Sequence, residues 1–178
     1  MTVQVIIQPS YGKVDTRRHW ADTLDQPVAF DQYADVLSPE QRELLAATHP
    51  DGTARFWGAT AKHDRRMSTL GAGDIALLTG QKHVRAIGEI GCVFANDDFA
   101  RTLWQPRPGT CLWRNVYTFR AYRHVMIPYE EVWALPGFTV GDNFMGLRFL
   151  GEEKGATILS GLDVAGLLDG NELGFVRA

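Results

Sequence analysis

Five short runs rich in β-branched and aromatic residues, at positions 54–60, 74–79, 84–94, 112–124 and 144–150, are separated from one another by Gly, Pro or polar clusters. Residues of those types suit a pleated, half-buried surface and the breakers between them are turn formers, so the runs are predicted to be strands. An opening stretch, Thr2 to Gln8, has the same character and ends at Pro9-Ser10-Tyr11-Gly12, which adds a strand and a loop. The runs at 75–79 and 84–90 are joined through Gly80-Gln81-Lys82-His83, a length suited to a hairpin, expected at the centre of the sheet. Helices are expected to be few. Ser38-Pro39-Glu40-Gln41 places a capping Ser, a Pro at the first helical position and a Gln three residues after the cap; Leu44 and Leu45 supply an apolar face, and His49-Pro50-Asp51-Gly52 stops the helix. Residues 96–104, opened by a capping Asn96, and residues 128–133 are two more short helices. Together these elements predict an α+β fold: a small, partly closed mixed β-barrel with peripheral short helices.

With 178 residues, 45% of them apolar, the chain is expected to bury one core of moderate size. Its longest apolar runs, such as Val5 to Ile7 or Ile75 to Leu78, fall far short of the roughly 20 residues of a membrane span. Met1 leads straight into a strand pattern and not a signal peptide, so a cytoplasmic location away from membranes is expected. Cys92 and Cys111 lie in strand-like apolar stretches without metal-ligand spacing, which predicts buried free thiols and neither disulfide, metal nor cofactor. The formal net charge of -3 conceals an asymmetry: between Arg55 and Arg123 stand eleven basic residues against five acidic, a net +6, which leaves -9 for the rest. Such a distribution can seat a polyanion on one face, although a solvated surface of mixed charge has the same composition.

Enzyme signatures are missing. There is no G-x-S-x-G elbow, no phosphate loop ending in Lys-Ser/Thr and no H-E-x-x-H, and the nearest imidazole and carboxylate neighbours, His63 with Asp64 and His49 with Asp51, read as polar surface. Asp74 and Glu89 fall in strands near turns, where a structural carboxylate is the expected role. Trp57, Trp104, Trp113 and Trp133 instead accompany the basic segment, with Ser68, Thr69, Thr79, Asn115, Asp142 and Asn143 in loops or at strand ends. A nucleobase lifted out of its stack needs aromatic faces, a few donors and acceptors for its edge, and cations for the flanking phosphates. Any one of these Trp residues, taken alone, fits a core position as well.

The order of these motifs from about residue 54 to residue 150 resembles the PUA-like superfamily, in particular its EVE and YTH branches of modified-base readers. Ala54-Arg-Phe-Trp-Gly-Ala-Thr60 is similar to their aromatic first strand, Met67-Ser-Thr-Leu70 to their pocket loop, and Gly73-Asp74-Ile-Ala-Leu-Leu-Thr-Gly80 to their glycine-aspartate strand. Phe99-Ala-Arg-Thr-Leu-Trp104 resembles the segment that supplies a cage wall, and Leu112-Trp-Arg-Asn-Val-Tyr-Thr-Phe119 with Ile127-Pro128 the long strand and its turn. The resemblance implies a PUA-like/EVE-like domain at 54–159, with 1–53 as a strand and helix extension packed on the barrel and 160–178 as a C-terminal helix or linker. It implies Trp104 as a cage wall, Trp57 or Trp113 as a second wall or floor, Ser68 and Thr69 as polar pocket groups, Thr79 and Gly80 at the base edge, and Asp142 and Asn143 at the rim. Met67 stands where the YTH pattern has a Trp before its pocket Ser, so a base other than N6-methyladenine is expected.

By that likeness the function expected is non-catalytic: binding of DNA that carries a modified base, a 5-substituted cytosine, by flipping the base into an aromatic pocket. Lys62, Arg65, Arg66, Lys82 and Arg85 would meet the phosphates. Domains of this kind commonly act as readers in modification-dependent restriction systems, beside a fused or associated nuclease such as an HNH domain. An RNA-binding PUA-like module is the alternative partner reading, and an ASCH-type small-molecule hydrolase using Lys62 with Glu89 or Asp74 is the alternative of another class.

Overall fold

The caps and turn formers set the order of elements in the computed structural model, which describes residues 2–169. In chain order these are β1 (Val5–Pro9), α1 (Val14–Thr23), β2 (Val28–Ala29), a 3-10 stretch (Phe30–Val36), α2 (Pro39–Thr48), β3 (Thr53–Ala59), a 3-10 turn (Ala61–His63) and α3 (Asp64–Met67). There follow β4 (Ile75–Gly80), β5 (His83–Ala95), α4 (Asp97–Trp104), β6 (Asn115–Pro128), α5 (Tyr129–Trp133), β7 (Arg148–Phe149), α6 (Glu152–Gly161) and α7 (Val164–Asp169). The strands lie in the order β2-β3-β6-β5-β4-β1-β7, so the sheet is mixed, is not closed, and has β5 at its centre. The predicted α+β class holds. No helix among the described residues is long and apolar enough to cross a membrane.

Two compact units make up the chain. The first comprises residues 2–12, 73–89 and 121–169 of those described. Here β1 runs parallel to β4, pairing Val5 with Ile75 and Ile7 with Leu77, and antiparallel to β7. A parallel strand with neighbours on both sides is covered on both faces, which is why Val5, Ile6 and Ile7 are all buried. Val5, Ile7, Ile75, Leu77, Val84, Ile87, Val125 and Ile127 pack with Tyr129, Val132, Phe144, Ile158, Leu162 and Val164 in this unit's core. The β4–β5 hairpin turns through Gln81 and Lys82, both at positive φ (52° and 63°), the backbone sense that matches the twist of a two-residue hairpin turn. Gly80 precedes them because Tyr11 lies against its backbone, and a Cβ there would fall 2.5 Å from Tyr11 Cβ.

The second unit comprises residues 13–72 and 90–120. Its helices stand on the predicted caps: Ser38 Oγ accepts from Gln41 N at 3.1 Å while the Gln41 side chain accepts from Ser38 N, closing a capping box. Asn96 Oδ1 accepts from Phe99 N at 2.8 Å, and its Nδ2 donates to Val36 O and Gln41 Oε1 at 2.7 and 2.8 Å, so one residue starts α4 and ties it to the start of α2. Helix α4 buries Phe99, Ala100, Leu103 and Trp104 against Phe30, Leu45, Phe56, Cys92 and Val116.

Three expectations are revised. Cys92 is buried, but Cys111 is exposed, because β6 starts only at Asn115 and leaves 111–114 in the loop before it. The predicted strand at 144–150 is paired only at Arg148–Phe149, since Phe144 and Gly146 adopt left-handed backbone (φ 50° and 76°) that breaks an extended run. Helix α1 carries no side-chain cap, and nothing in the sequence announced it. Residues 1–53, expected as an extension, contribute to both units. Of the expected C-terminal segment at 160–178, Ser160 and Gly161 end α6 and α7 follows, while residues 170–178 lie outside the described residues.

Candidate functional site

Within the second unit, α1, β3, α4 and the loop before β6 bring five aromatic rings together. Trp113 has its ring centroid 4.8 Å from Trp57, 5.3 Å from Trp104 and 4.8 Å from His19, and Trp20 stands edge-on to Trp57 at 5.9 Å. Tilted and edge-to-face arrangements at these separations are the favourable ones for aromatic pairs. Gly58 in β3 makes room for them: a Cβ there would come within 2.9 Å of both Trp104 Cη2 and Asn115 O. Thr23 locks the cluster from α1, its Oγ1 accepting from Trp104 Nε1 at 3.1 Å and lying 3.0 and 2.8 Å from the carbonyls of His19 and Phe56.

This wall faces a cavity of about 440 Å³ lined by Lys13, Val14, Asp15, Thr16, His19, Arg107, Gly109, Thr110, Cys111 and Trp113. The volume is in the range of small-ligand sites. The 105–114 loop is drawn over it by Arg107, whose Nε meets Asp15 at 3.2 Å, and by Arg18, whose Nη2 donates to Gln105 O at 3.2 Å. His19 Nδ1 and Trp57 Nε1 are buried polar atoms without a hydrogen-bond partner among the described residues. Burial, with Arg18 second, lowers the His19 pKa below its ordinary value against the opposing pull of Asp15 and Asp22, which favours the neutral ring.

The structure brings together Trp57, Trp104 and Trp113 but gives them different positions. Trp57 (0% exposed) and Trp104 (2%) are core, with no face turned outward, whereas Trp113 is half-buried and lines the cavity. Ser68 and Thr69 lie elsewhere in the same unit, exposed at the end of α3, their hydroxyls donating to Arg65 O and Arg66 O at 2.7 Å. Ser68 lines a separate hollow of about 280 Å³ with Asp64, Met67, Phe94, Arg114 and Asn115. Arg114 bridges Asp64 (2.6 Å) and Asp97 (2.8 Å), and Asn115 Nδ2 donates to Asp64 at 2.7 Å, which holds α3 in place. Lys62, Arg65 and Arg66 are exposed on this segment.

Thr79, Gly80, Asp142 and Asn143 belong to the first unit. Thr79 is buried and its carbonyl already accepts from Ser10 N at 2.7 Å. Asp142 forms a two-pronged ion pair with Arg148 at 2.5 and 2.8 Å and accepts from Phe144 N, and Arg148 holds its carboxyl below the usual range. It clamps its own loop, beside an exposed Asn143. Lys82 is exposed at the hairpin tip, while Arg85 lies 3.9 Å over the Tyr11 ring and donates to Gln81 Oε1 at 3.2 Å. Asp74 accepts from Gln4 N at 2.9 Å, and Glu89 lines a different, largely apolar hollow with Ile75 and Leu168. Among the described residues no group of three His, Cys, Asp or Glu is placed to hold a metal ion. Sequence reasoning passed over His19, Arg107 and Thr110; the adjacent His19-Trp20 pair was the available signal, but without a helix cap it could not be assigned a direction.

The architecture is an α+β fold on an open mixed sheet, the class that the motifs implied. A solved structure of this kind is the N-terminal domain of McrB from Thermococcus gammatolerans, bound to m5C DNA. It matches with a TM-score of 0.66 over 90% of this chain and 97% of that one, at 15% sequence identity. That likeness is one of fold. No family model matches the sequence, and no curated protein does.

Proposed function

We propose that the chain is a DNA-binding module that recognises a modified base, a 5-substituted cytosine, flipped out of the duplex into the cavity beside Trp113. The observation that carries the reading is this cavity of about 440 Å³ with one half-buried indole in its wall, on a fold that a McrB domain uses when bound to m5C DNA. Stacking a base on an aromatic ring contributes about 1–3 kcal/mol, and extruding it costs a few, so pocket and phosphate contacts must act together. Trp113 offers the ring, and Trp57 and Trp104 stiffen it from behind. Thr16 and Thr110 supply hydroxyls, and Lys13 and Arg107 place positive charge at the cavity. Lys62, Arg65, Arg66 and Lys82, with Arg85 in a lesser role, are the proposed phosphate contacts. Recognition is the whole of this module's part, and cleavage in a restriction system would fall to a fused or associated nuclease domain.

The test is a titration of labelled duplexes, unmodified or carrying 5-methylcytosine, 5-hydroxymethylcytosine or N6-methyladenine, at fixed low salt, with RNA of the same sequence as competitor. A preference of about tenfold for a cytosine modification, equivalent to about 1.4 kcal/mol, is expected, and Trp113→Ala should abolish it. Equal or absent binding to all four duplexes overturns the proposal, and displacement by RNA redirects it.

A further inference from the structure

Among the described residues the exposed large apolar side chains are Val3, Val14, Leu44, Val140 and Met145, and of these Val14 is the one that lines the cavity beside Trp113. It stands at the first position of α1 and is 64% exposed. A lone exposed aliphatic side chain is ordinary on an open surface; in the wall of a cavity it is apolar area that an occupant would cover. The rest of the lining is of another kind. Lys13, Asp15, Thr16, Arg107 and Thr110 carry charges or hydroxyls that suit the polar parts of a nucleotide, whereas Trp113 offers a flat ring and Val14 the one aliphatic side chain among the described lining residues.

Cytosine and 5-methylcytosine carry the same hydrogen-bonding groups and differ by one methyl, so polar contacts bind both alike, and the methyl is told apart by an apolar surface that covers it. That methyl lies in the plane of the base, at its edge, so a ring stacked on the face is not the group that meets it. Here the ring comes from the loop before β6 and the aliphatic group from α1, so the two apolar contacts are supplied by separate elements. We propose that Val14 is the specificity-determining residue for the 5-substituent, packing against the methyl of 5-methylcytosine while Trp113 takes the face of the base. This rests on the base-reading proposal above and names the residue that makes the modification visible. A hydroxymethyl group, which needs a hydrogen-bond partner when buried, is served less well by a valine. Covering one methyl-sized group is worth about fourfold in affinity, equivalent to about 0.8 kcal/mol, and that is the share of the preference assigned to Val14.

The experiment uses the full chain and duplexes that differ at one position, which holds cytosine, 5-methylcytosine or 5-hydroxymethylcytosine. Val14→Ala should bind the cytosine duplex as wild type does and lose about fourfold of the preference for 5-methylcytosine. Val14→Thr, nearly the same shape with a hydroxyl in place of one methyl, should lose it too and gain relative affinity for 5-hydroxymethylcytosine. Because Val14 is exposed in the free protein, both variants should keep the wild-type melting temperature, which separates a contact with the ligand from damage to the fold. In protein with methyl-labelled valine, the Val14 resonances should show an Overhauser contact to the 5-methyl group of the bound base. Full methyl preference in both variants, an equal loss for all three duplexes, or no such contact in the bound state overturns the inference and leaves the base-reading proposal standing. Wild-type protein indifferent to all three duplexes removes both.

Discussion

Thr23→Val isolates one buried hydroxyl with three neighbours. Thr23 is 1% exposed; its single proton can go to only one of the two carbonyls 3.0 and 2.8 Å away, and its oxygen accepts from the Trp104 indole at 3.1 Å. Valine has nearly the same shape, so the change leaves packing in place and strands the Trp104 N–H in the interior. An orphaned buried donor costs about 1–3 kcal/mol. For a chain of this length each kcal/mol lowers the melting temperature by about 2–4 °C, so calorimetry should show a fall of roughly 2–12 °C. The cause is checked by repeating the substitution in a Trp104→Phe background, which has no indole N–H to strand. There Thr23→Val should cost about 1 kcal/mol less, well above the error of such cycles. A melting temperature within about 1 °C of wild type, or the same cost in both backgrounds, would refute the role assigned to Thr23.

Stability should also fall with acid. Burial lowers the pKa of His19, His49 and His63, so the unfolded chain takes up protons before the folded one does. Their contribution is complete above the unfolded value of about 6.5 and is lost as pH falls below it, and a melting temperature that stays flat from about pH 7.5 to 5 would contradict this. The proposed phosphate contacts predict a salt signature: Lys62→Ala and Arg65→Ala should each reduce the slope of log affinity against log salt by about 0.9. Arg114→Ala, which removes the bridge between Asp64 and Asp97, should leave that slope unchanged and destabilise α3 instead. Unchanged slopes at Lys62 and Arg65 would move the phosphate contacts elsewhere.

Local features with a local cause were legible in the chain. Ser38 with Gln41, and Asn96 with Phe99, form the predicted caps because those bonds close within three residues. The Gly80–His83 turn forms for the same kind of reason, and the strands around it follow from residue type. Helix α1 was not legible. Its first residue is preceded by Lys13, which supplies no cap, and its buried face is only His19, Trp20 and Thr23.

The sequence by itself determined the α+β class, the capped helices, the central hairpin and the concentration of tryptophans beside a basic segment. Which tryptophan could meet a ligand was decided only in three dimensions. Trp57 lies on β3 at 0% exposure and Trp104 on the buried face of α4, and the 105–114 loop leaves Trp113 alone of the three at the cavity. An indole suits either a core or a binding wall, and the choice depends on neighbours distant in the chain: His19 from α1, Gly58 from β3 and Arg107 paired with Asp15. Exposure is a property of the packed assembly of elements, and no single segment of the chain encodes it.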